Sequence, residues 1–444
     1  MKTTRTTFFT RDKKFYKTFF RLMLVVALQN LVAYSVNMLD NIMLGSYSQN
    51  ALSGAATVNQ ICFIVNQLAL SIGNALVAIC SQYWGKQETG AIRKMTGVAL
   101  ALSVLIGAIV VTACTRIPEQ LLRIFTTSPE IIAEGKAYLG LLKWTFLLFM
   151  ISNLLIAMLR SVETVKISFV ISVVSLITNG CINYTLIFGH FGFPQLGVSG
   201  AAIGTVVSRV IEMSINIIGG SRNLYLKNAI KMKKVPFDTT KEMLKRGLPL
   251  LCNEILWSIS IALISQSYST RGLVAVAAIN ITTTVTNFFM IVCYAMGNSI
   301  SIVVGQQLGA GEIERAKDYD LKMVFMNFIM CFTLAVVLFN VSIYIPQIYN
   351  TSVEVKNLAT SLLKVAACML PVISVYYSSY FTMRAGGKTF LTFLFDSGYT
   401  FVFTFMAALL LTRLTSLPIL IIYILVQCVD IPKATLGLVL VRKG

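Results

Sequence analysis

Polar side chains interrupt several of the long apolar runs in this sequence. Asp40 lies in the first run, Asn179 and Asn183 lie in the fifth, and Thr205 lies in the sixth. If these runs are membrane-spanning helices, a rise of about 1.5 Å per residue places Asp40 about 28 Å from the inner boundary, and the other three about 20 to 26 Å from it. Asn37 precedes Asp40 by about one helical turn and shares its face. The similar depths predict one polar site built from three spans.

One carboxylate surrounded by amides and a hydroxyl has two chemical uses. Its oxygens can coordinate a small hard cation, and we therefore expect a Na⁺ site at Asp40, Asn179, Asn183 and Thr205. The carboxylate can instead take up a proton, because burial disfavours its charged form. The structural alternative is that Asp40 is a partly wetted helix-end group and that the asparagines hold helices together.

A second pair of acidic residues lies in the other half of the chain. Glu254 and Asp396 each follow a basic residue by eight positions, which places both about 12 Å from the inner boundary. If their helices are neighbours, the two carboxylates can share a proton or a cation. If they are not, each needs its own partner. The side chains expected near this acidic or substrate site are Asn253, Trp257, Asn287 and Tyr294.

Two further pairs of opposite charge are spaced for ion pairing on one helix. Arg209 and Glu212 are one turn apart, and so are Asp430 and Lys433. Pairs with this spacing face each other on a helix surface. We predict structural ion pairs at both places.

The elements that carry these residues are membrane spans. Hydrophobic residues make up 56% of the 444 residues and charged residues 12%, whereas soluble domains carry about 25% charged residues. Twelve apolar runs are each long enough for a bilayer, which needs about 20 residues. The sequence therefore predicts an all-α integral membrane protein. The predicted spans are 19–43, 52–82, 92–115, 131–158, 167–189, 198–221, 247–269, 273–307, 321–345, 355–382, 390–411 and 416–440.

The chain is internally duplicated. Residues 124–130 read IFTTSPE and residues 348–354 read IYNTSVE, while SQYWGKQE at 81–88 corresponds to GQQLGAGE at 305–312. Both pairs have the same offset of 224 residues, which predicts two pseudo-symmetric six-helix lobes with the working site between them. The expected domains are a cytoplasmic tail at 1–18, an N-terminal lobe at 19–221, a basic linker at 222–246 and a C-terminal lobe at 247–444.

Basic residues indicate how the chain is oriented. With the N-terminus in the cytoplasm, 28 of the 37 Lys and Arg residues fall in the inside segments, as the positive-inside rule requires. We therefore expect a multi-pass protein of the inner (cytoplasmic) membrane with both termini in the cytoplasm. This bias also accounts for the net charge of +19, so no nucleic-acid partner is expected. The linker is interpreted as a solvated segment or as a contact for anionic lipid.

Catalysis and cofactor chemistry have little support in the sequence. His190 is the single histidine, and it lies in a turn outside the predicted spans. The nine cysteines have no CxxC spacing, which favours free thiols over a metal site. We expect neither an enzyme nor a cofactor.

Taken together and in order, several motifs resemble the MATE (multidrug and toxic compound extrusion) family, in particular its bacterial NorM- and DinF-like members. The resemblance extends over about residues 14–441. The motifs are VNMLDNIMLG in span 1, SQYWGKQE after span 2, MLRSVET after span 4, TNGCINYTLIFG in span 5, GLPLLCNE in span 7, GQQLGAGE after span 8 and MRAGGKT after span 10.

The resemblance implies a V-shaped bundle of two lobes around a central cavity that works by alternating access. It implies a cation site at Asp40, Asn179, Asn183 and Thr205, and a second acidic position at Glu254. Asp396 is added from its depth alone. Some members have an aspartate in place of Asn183, so the resemblance leaves the coupling ion, Na⁺ or H⁺, open.

The function expected from these features is secondary active multidrug efflux. Amphipathic, often cationic, organic compounds would be exported in antiport with Na⁺ or H⁺ by a protein that works as a monomer in the lipid bilayer. The alternative is a lipid-linked precursor flippase or a metabolite carrier of the same superfamily.

Overall fold

The computed structural model describes residues 12–126, 128–221 and 237–443, and this part of the chain is helical and contains no strand. Twelve of its helices are long and apolar enough to cross a membrane, which confirms the predicted fold class. The first six are α1 (Lys13–Tyr47), α2 (Gln49–Gly85), α3 (Thr89–Arg116), α4 (Pro129–Ser161), α5 (Val165–Phe188) and α6 (Val198–Ser221). The other six are α7 (Phe237–Ser269), α8 (Leu273–Gly309), α9 (Ile313–Val341), α10 (Val353–Ala385), α11 (Thr389–Leu414) and α12 (Ile419–Arg442).

Two of the spans are not regular α-helices. The middle of α11 is π-helical at Leu394–Gly398 and at Thr400–Phe405. The last span, α12, consists of a helix at Ile419–Cys428 and a second at Asp430–Lys443. Short helices also precede α4 and α10, at Pro118–Arg123 and Ile345–Ile348, and a 3₁₀ turn follows α5 at His190–Gly192.

The predicted linker is partly helical. Its last ten residues form the start of α7, which begins at Phe237 instead of at residue 247. Residues 222–236 lie outside the described part of the structure.

The duplicated motif TSxE marks the start of a helix in each half. Ser128 is the N-cap of α4, and Ser352 is the N-cap of α10, where its side chain accepts a hydrogen bond from the main-chain N–H of Val355 at 3.4 Å. A glutamate follows in the first turn in both places, Glu130 and Glu354. The Ser128 side chain makes no such bond among the described residues. Serine at the N-cap position and an acidic first turn are both favoured at helix N-termini, so this repeat has a structural explanation.

The second duplicated motif makes a tight turn between two helices. Gln87 links α2 to α3 with a φ of 61°, and Gly311 links α8 to α9 with a φ of 80°. Glycine adopts this left-handed conformation without steric cost, whereas glutamine does not. The same turn is therefore conformationally easier in the second half.

The helices group into two compact units. The N-terminal unit is Leu28–Gly247, and the C-terminal unit contains the chain up to Ala27 together with Leu248–Gly444. In the N-terminal unit α4 packs along α2, α3 and α6, and in the C-terminal unit α10 packs in the same way along α8, α9 and α12. The packing thus repeats the duplication in the sequence.

The start of α1 is held in the C-terminal unit by specific contacts. The hydroxyl of Tyr319 on α9 donates a hydrogen bond to Asp12 Oδ2 at 2.9 Å. The ring of Phe15 lies 4.5 Å from the ring of Tyr319, centre to centre. These contacts explain why the first turns of α1 belong to that unit.

Small residues allow the helices of the N-terminal unit to approach closely. A Cβ at Gly54 on α2 would lie 2.7 Å from Glu134 Cβ and 2.9 Å from the main-chain nitrogen of Gly135, both on α4. Close packing of this kind is a main source of helix association in membranes, where lipid is as apolar as the side chains.

Candidate functional site

Four of the predicted site residues form one hydrogen-bonded cluster in the N-terminal unit. Asn179 and Asn183 are one turn apart on α5, and their side chains are 1% and 0% exposed. The Nδ2 of Asn183 donates to Asp40 Oδ1 at 2.5 Å and to Asn179 Oδ1 at 3.2 Å. The Nδ2 of Asn179 lies 3.4 Å from Thr205 Oγ1 on α6. Helices α1, α5 and α6 therefore each contribute to this cluster, as the depths of their polar residues suggested.

The space for the cluster comes from a glycine on α6. A Cβ at Gly204 would lie 2.0 Å from Asn183 Oδ1. This oxygen is buried and has no hydrogen-bond partner among the described residues. The amide presents its NH₂ group to Asp40 and this oxygen to Gly204. An amide oxygen and a carboxylate are both ligand types of a hard cation.

The donor set is suited to a monovalent cation or a proton. The oxygens available are Asp40 carboxylate, Asn179 Oδ1, Asn183 Oδ1 and Thr205 Oγ1, with one formal negative charge in total. No group of three or more His, Cys, Asp or Glu side chains that could hold a metal occurs in the described residues. Asn37 lies on α1 as expected, but its side chain is outside the described part of the structure.

Arg209 lies close enough to Asp40 for their charges to interact, but it is paired elsewhere. Its Nη1 lies 2.6 Å from Glu212 Oε2, which confirms the predicted ion pair. Its guanidinium also lies 4.8 Å from the ring centre of Phe149 on α4. Asp40 is thus left with a neutral amide as its hydrogen-bond donor.

In the C-terminal unit, Asp396 is surrounded by polar partners from two other helices. Asn253 Nδ2 on α7 donates to Asp396 Oδ2 at 3.1 Å, and Lys433 Nζ on α12 donates to Asp396 Oδ1 at 3.0 Å. Asn253 Oδ1 also accepts a hydrogen bond of 2.6 Å from Ser397 Oγ. The predicted pair of Lys433 with Asp430 is therefore wrong, since Lys433 forms its ion pair with Asp396.

The other residues predicted for this unit are spread over α7 and α8. Glu254 is half-buried on α7, and both it and Asp396 interact electrostatically with Tyr380. Tyr294 shares a hydrogen bond of 2.9 Å with Tyr377. Trp257 is half-buried and Asn287 is exposed, and among the described residues neither bonds to Asp396.

Sequence reasoning missed Lys433, Ser397 and Thr400 as neighbours of Asp396. A lysine near the end of an apolar run was visible in the sequence. Its spacing of three residues from Asp430 predicted an ion pair on its own helix instead. Thr400 Oγ1 donates to the carbonyl of Asp396, and Ser397 Oγ donates to Asn253; both residues lie in the π-helical turns of α11, which the sequence pattern did not predict.

Comparison with known proteins identifies the family. The MatE family matches residues 26–185 and 249–396, which is more than half of the chain. A "Probable multidrug resistance protein NorM" from Thermotoga maritima is 22% identical over 84% of this chain and 80% of the relative. A "Probable multidrug resistance protein YoeA" from Bacillus subtilis is 24% identical over 82% of this chain and 80% of the relative.

Solved structures have the same fold at low sequence identity. The outward-facing conformation of a multidrug resistance MATE family transporter of the MOP superfamily superposes with a TM-score of 0.89 at 16% identity, covering 98% of both chains. A MOP superfamily transporter from Pyrococcus furiosus superposes with a TM-score of 0.88 at 16% identity, covering 96% of this chain and 95% of the other. With twelve apolar helices and a family match over both halves, this chain belongs to the MatE family of multidrug efflux transporters.

Proposed function

We propose that this protein exports amphipathic, cationic organic compounds across the inner membrane in antiport with Na⁺ or H⁺, with both termini in the cytoplasm. The observation that carries the proposal is the cluster around Asp40, a single carboxylate held by neutral side chains in an apolar unit. Family membership and the multidrug resistance names of the relatives support the export of organic compounds.

The cluster links ion binding to the positions of helices. Asn183 on α5 donates a hydrogen bond to the carboxylate of Asp40 on α1. A cation or proton at Asp40 neutralises the carboxylate, so this hydrogen bond weakens because its acceptor is no longer charged. Since Asn183 also bonds to Asn179, which reaches Thr205 on α6, the change is transmitted to two helices. Binding energy at Asp40 then favours one conformation over another.

Na⁺ and H⁺ compete at this site, because both bind to the same carboxylate and neutralise its charge. If Na⁺ is the coupling ion, acidic conditions inhibit transport by protonating Asp40. If H⁺ is the coupling ion, a pH gradient drives export and Na⁺ is dispensable.

The test is transport by purified protein in liposomes loaded with a fluorescent organic cation, with Na⁺ and pH gradients imposed separately. We expect one gradient to drive transport and the Asp40→Asn variant to lose at least about 90% of it, since the amide carries no charge to be neutralised. Glu314→Gln is the matched control, because this carboxylate is 90% exposed and lies outside the cluster. Unchanged transport by folded Asp40→Asn protein contradicts the assignment of the site. Transport of no organic cation under either gradient favours a lipid-linked precursor flippase or a metabolite carrier.

A further inference from the structure

Lys433 is a buried ammonium group with a complete set of oxygen partners. Its side chain is 2% exposed. Its Nζ lies 3.0 Å from Asp396 Oδ1, 3.3 Å from the main-chain oxygen of Asp396 and 3.1 Å from Thr400 Oγ1. An ammonium has three hydrogen-bond donors, so each donor has an oxygen acceptor.

Aromatic rings complete the surroundings of this cation. The Nζ of Lys433 lies 4.5 Å from the ring centre of Tyr376 on α10. It lies 5.8 Å from the ring centres of Phe395 and Tyr399 on α11. Rings at these distances attract a positive charge through their quadrupoles. Three oxygen atoms and three aromatic rings therefore surround the ammonium, and all of them favour a positive charge.

The oxygen partners of Lys433 lie in the π-helical turns of α11. Asp396 lies in the segment Leu394–Gly398, and Thr400 begins the next one. Two side chains form hydrogen bonds with the main chain there. Asn253 Oδ1 accepts from the N–H of Ser397 at 3.3 Å, and Lys433 donates to the carbonyl of Asp396. Turns of this type are rare and occur frequently at functional sites.

The N-terminal unit has a cation at the equivalent position. Arg209 precedes Lys433 by 224 residues, the offset of the duplication. Both cations lie on the sixth helix of their unit and against a ring on the fourth, Phe149 for Arg209 and Tyr376 for Lys433. They differ in the carboxylate that they neutralise. Arg209 pairs with Glu212 on its own helix, whereas Lys433 pairs with Asp396 on a neighbouring helix.

We propose that Lys433 is a tethered cation that fills a latent site for a monovalent inorganic cation at Asp396. The carboxylate, carbonyl and hydroxyl oxygens around its ammonium are the ligand types that hard cations prefer. With the lysine in place, the C-terminal unit keeps Asp396 neutralised permanently and binds no inorganic ion there. This inference concerns ion binding in one unit, so it does not depend on the transport role proposed for Asp40.

The test removes the tethered charge and asks whether Na⁺ replaces it. Purified Lys433→Met protein is heated in NaCl and in choline chloride of the same ionic strength, and its unfolding midpoint is measured. All variants also carry Asp40→Asn, so that the N-terminal cluster does not contribute a Na⁺ response. We expect the Lys433→Met midpoint to rise with Na⁺ concentration and to saturate, because a ligand that binds only the folded state stabilises it. The Asp40→Asn protein with Lys433 in place and the Asp40→Asn, Lys433→Arg variant are expected to show no Na⁺-specific rise.

A double variant identifies the carboxylate that binds the ion. Adding Asp396→Asn to Lys433→Met is expected to abolish the Na⁺ response, since the charged ligand is gone. A folded Lys433→Met protein that responds equally to Na⁺ and choline overturns the proposal, and so does a response that persists without Asp396. If Lys433→Met does not fold, Lys433→Gln is tested in its place. Failure of both variants to fold in either salt shows that Lys433 has a structural role alone and also overturns the proposal.

Discussion

Asp40 and Asp396 differ in the partners that surround their carboxylates. Asp40 accepts a hydrogen bond from the neutral amide of Asn183, while the nearby Arg209 is paired with Glu212. Asp396 faces the ammonium of Lys433. Removing a charge from water is costly unless it is paired, and Asp40 is half-buried without a basic hydrogen-bond partner among the described residues, so it has more to gain from a cation or a proton. This contrast favours the N-terminal unit as the place where the coupling ion acts.

The glycine beside Asn183 provides a test at the scale of single residues. Replacing Gly204 with alanine places a Cβ 2.0 Å from Asn183 Oδ1, which forces the amide away from its present position. We expect the variant to fold but to bind and transport the coupling ion at least about fivefold more weakly, because overpacking typically costs about 1–3 kcal/mol and here displaces a side chain of the ion site. The measurement is the ion dependence of transport in liposomes.

Gly140→Ala on α4 is the matched control for Gly204→Ala. An added Cβ there has no heavy atom within 4 Å, so ion dependence is expected to stay unchanged. Equal effects of the two alanines would show that the position of Asn183 is not what the glycine protects.

Equivalent helix pairs in the two halves meet at a glycine, but the side chain packed against that glycine differs. Gly73 on α2 packs against Ala157 on α4, and at the equivalent positions Gly297 on α8 packs against Phe381 on α10. A Cβ at Gly73 would lie 3.2 Å from Ala157 Cβ, whereas a Cβ at Gly297 would lie 2.1 Å from Phe381 Cδ2. The larger aromatic residue therefore makes glycine more necessary in the second helix pair.

This asymmetry predicts unequal effects of the same substitution in the two helix pairs. Gly297→Ala is expected to destabilise the protein by about 1–3 kcal/mol, the usual cost of overpacking. Gly73→Ala is expected to cost less than half as much, because a shift of a few tenths of an ångström relieves its contact. Thermal unfolding followed with a thiol-reactive fluorophore measures both, since Cys80, Cys114, Cys293 and Cys331 are buried in the folded protein. A larger loss for Gly73→Ala would contradict the packing argument.

The duplicated motifs act at the level of helices and not of chemistry. Ser128 and Ser352 begin α4 and α10, and the turns at Gln87 and Gly311 reverse the chain after α2 and α8. The carboxylates of the two polar clusters, in contrast, follow no such repeat, since Asp40 corresponds by the same offset to Ile264, although Arg209 and Lys433 are at equivalent positions. Duplication thus preserved the framework of each unit and a basic residue on its sixth helix, while the two units carry their carboxylates at different positions.

At the scale of the whole molecule, the distribution of Lys and Arg predicts that both termini face the cytoplasm. The turn after α5 then lies outside, and the turn between α8 and α9 lies inside. Both turns have exposed residues suitable for labelling, Phe193 and Ala310.

In a variant without its native cysteines, Phe193→Cys is expected to react with a membrane-impermeant maleimide in intact cells. Ala310→Cys is expected to react only after permeabilisation, because the reagent does not cross the bilayer. The reverse labelling pattern would invert the orientation, and with it the direction of transport that we propose.

The sequence alone was sufficient for the twelve spans, the duplication and the cluster around Asp40. Apolar length, motif spacing and depth along a helix are local properties, and residues at similar depths on packed helices can lie close together. Only the tertiary structure decided that the start of α1 packs in the C-terminal unit, that α11 contains π-helical turns, and that Lys433 pairs with Asp396. Each of these depends on contacts between residues far apart in the chain. Lys433 pairs with Asp396 and not with Asp430 on its own helix, because oxygens of the neighbouring helix accept hydrogen bonds from all three donors of the ammonium.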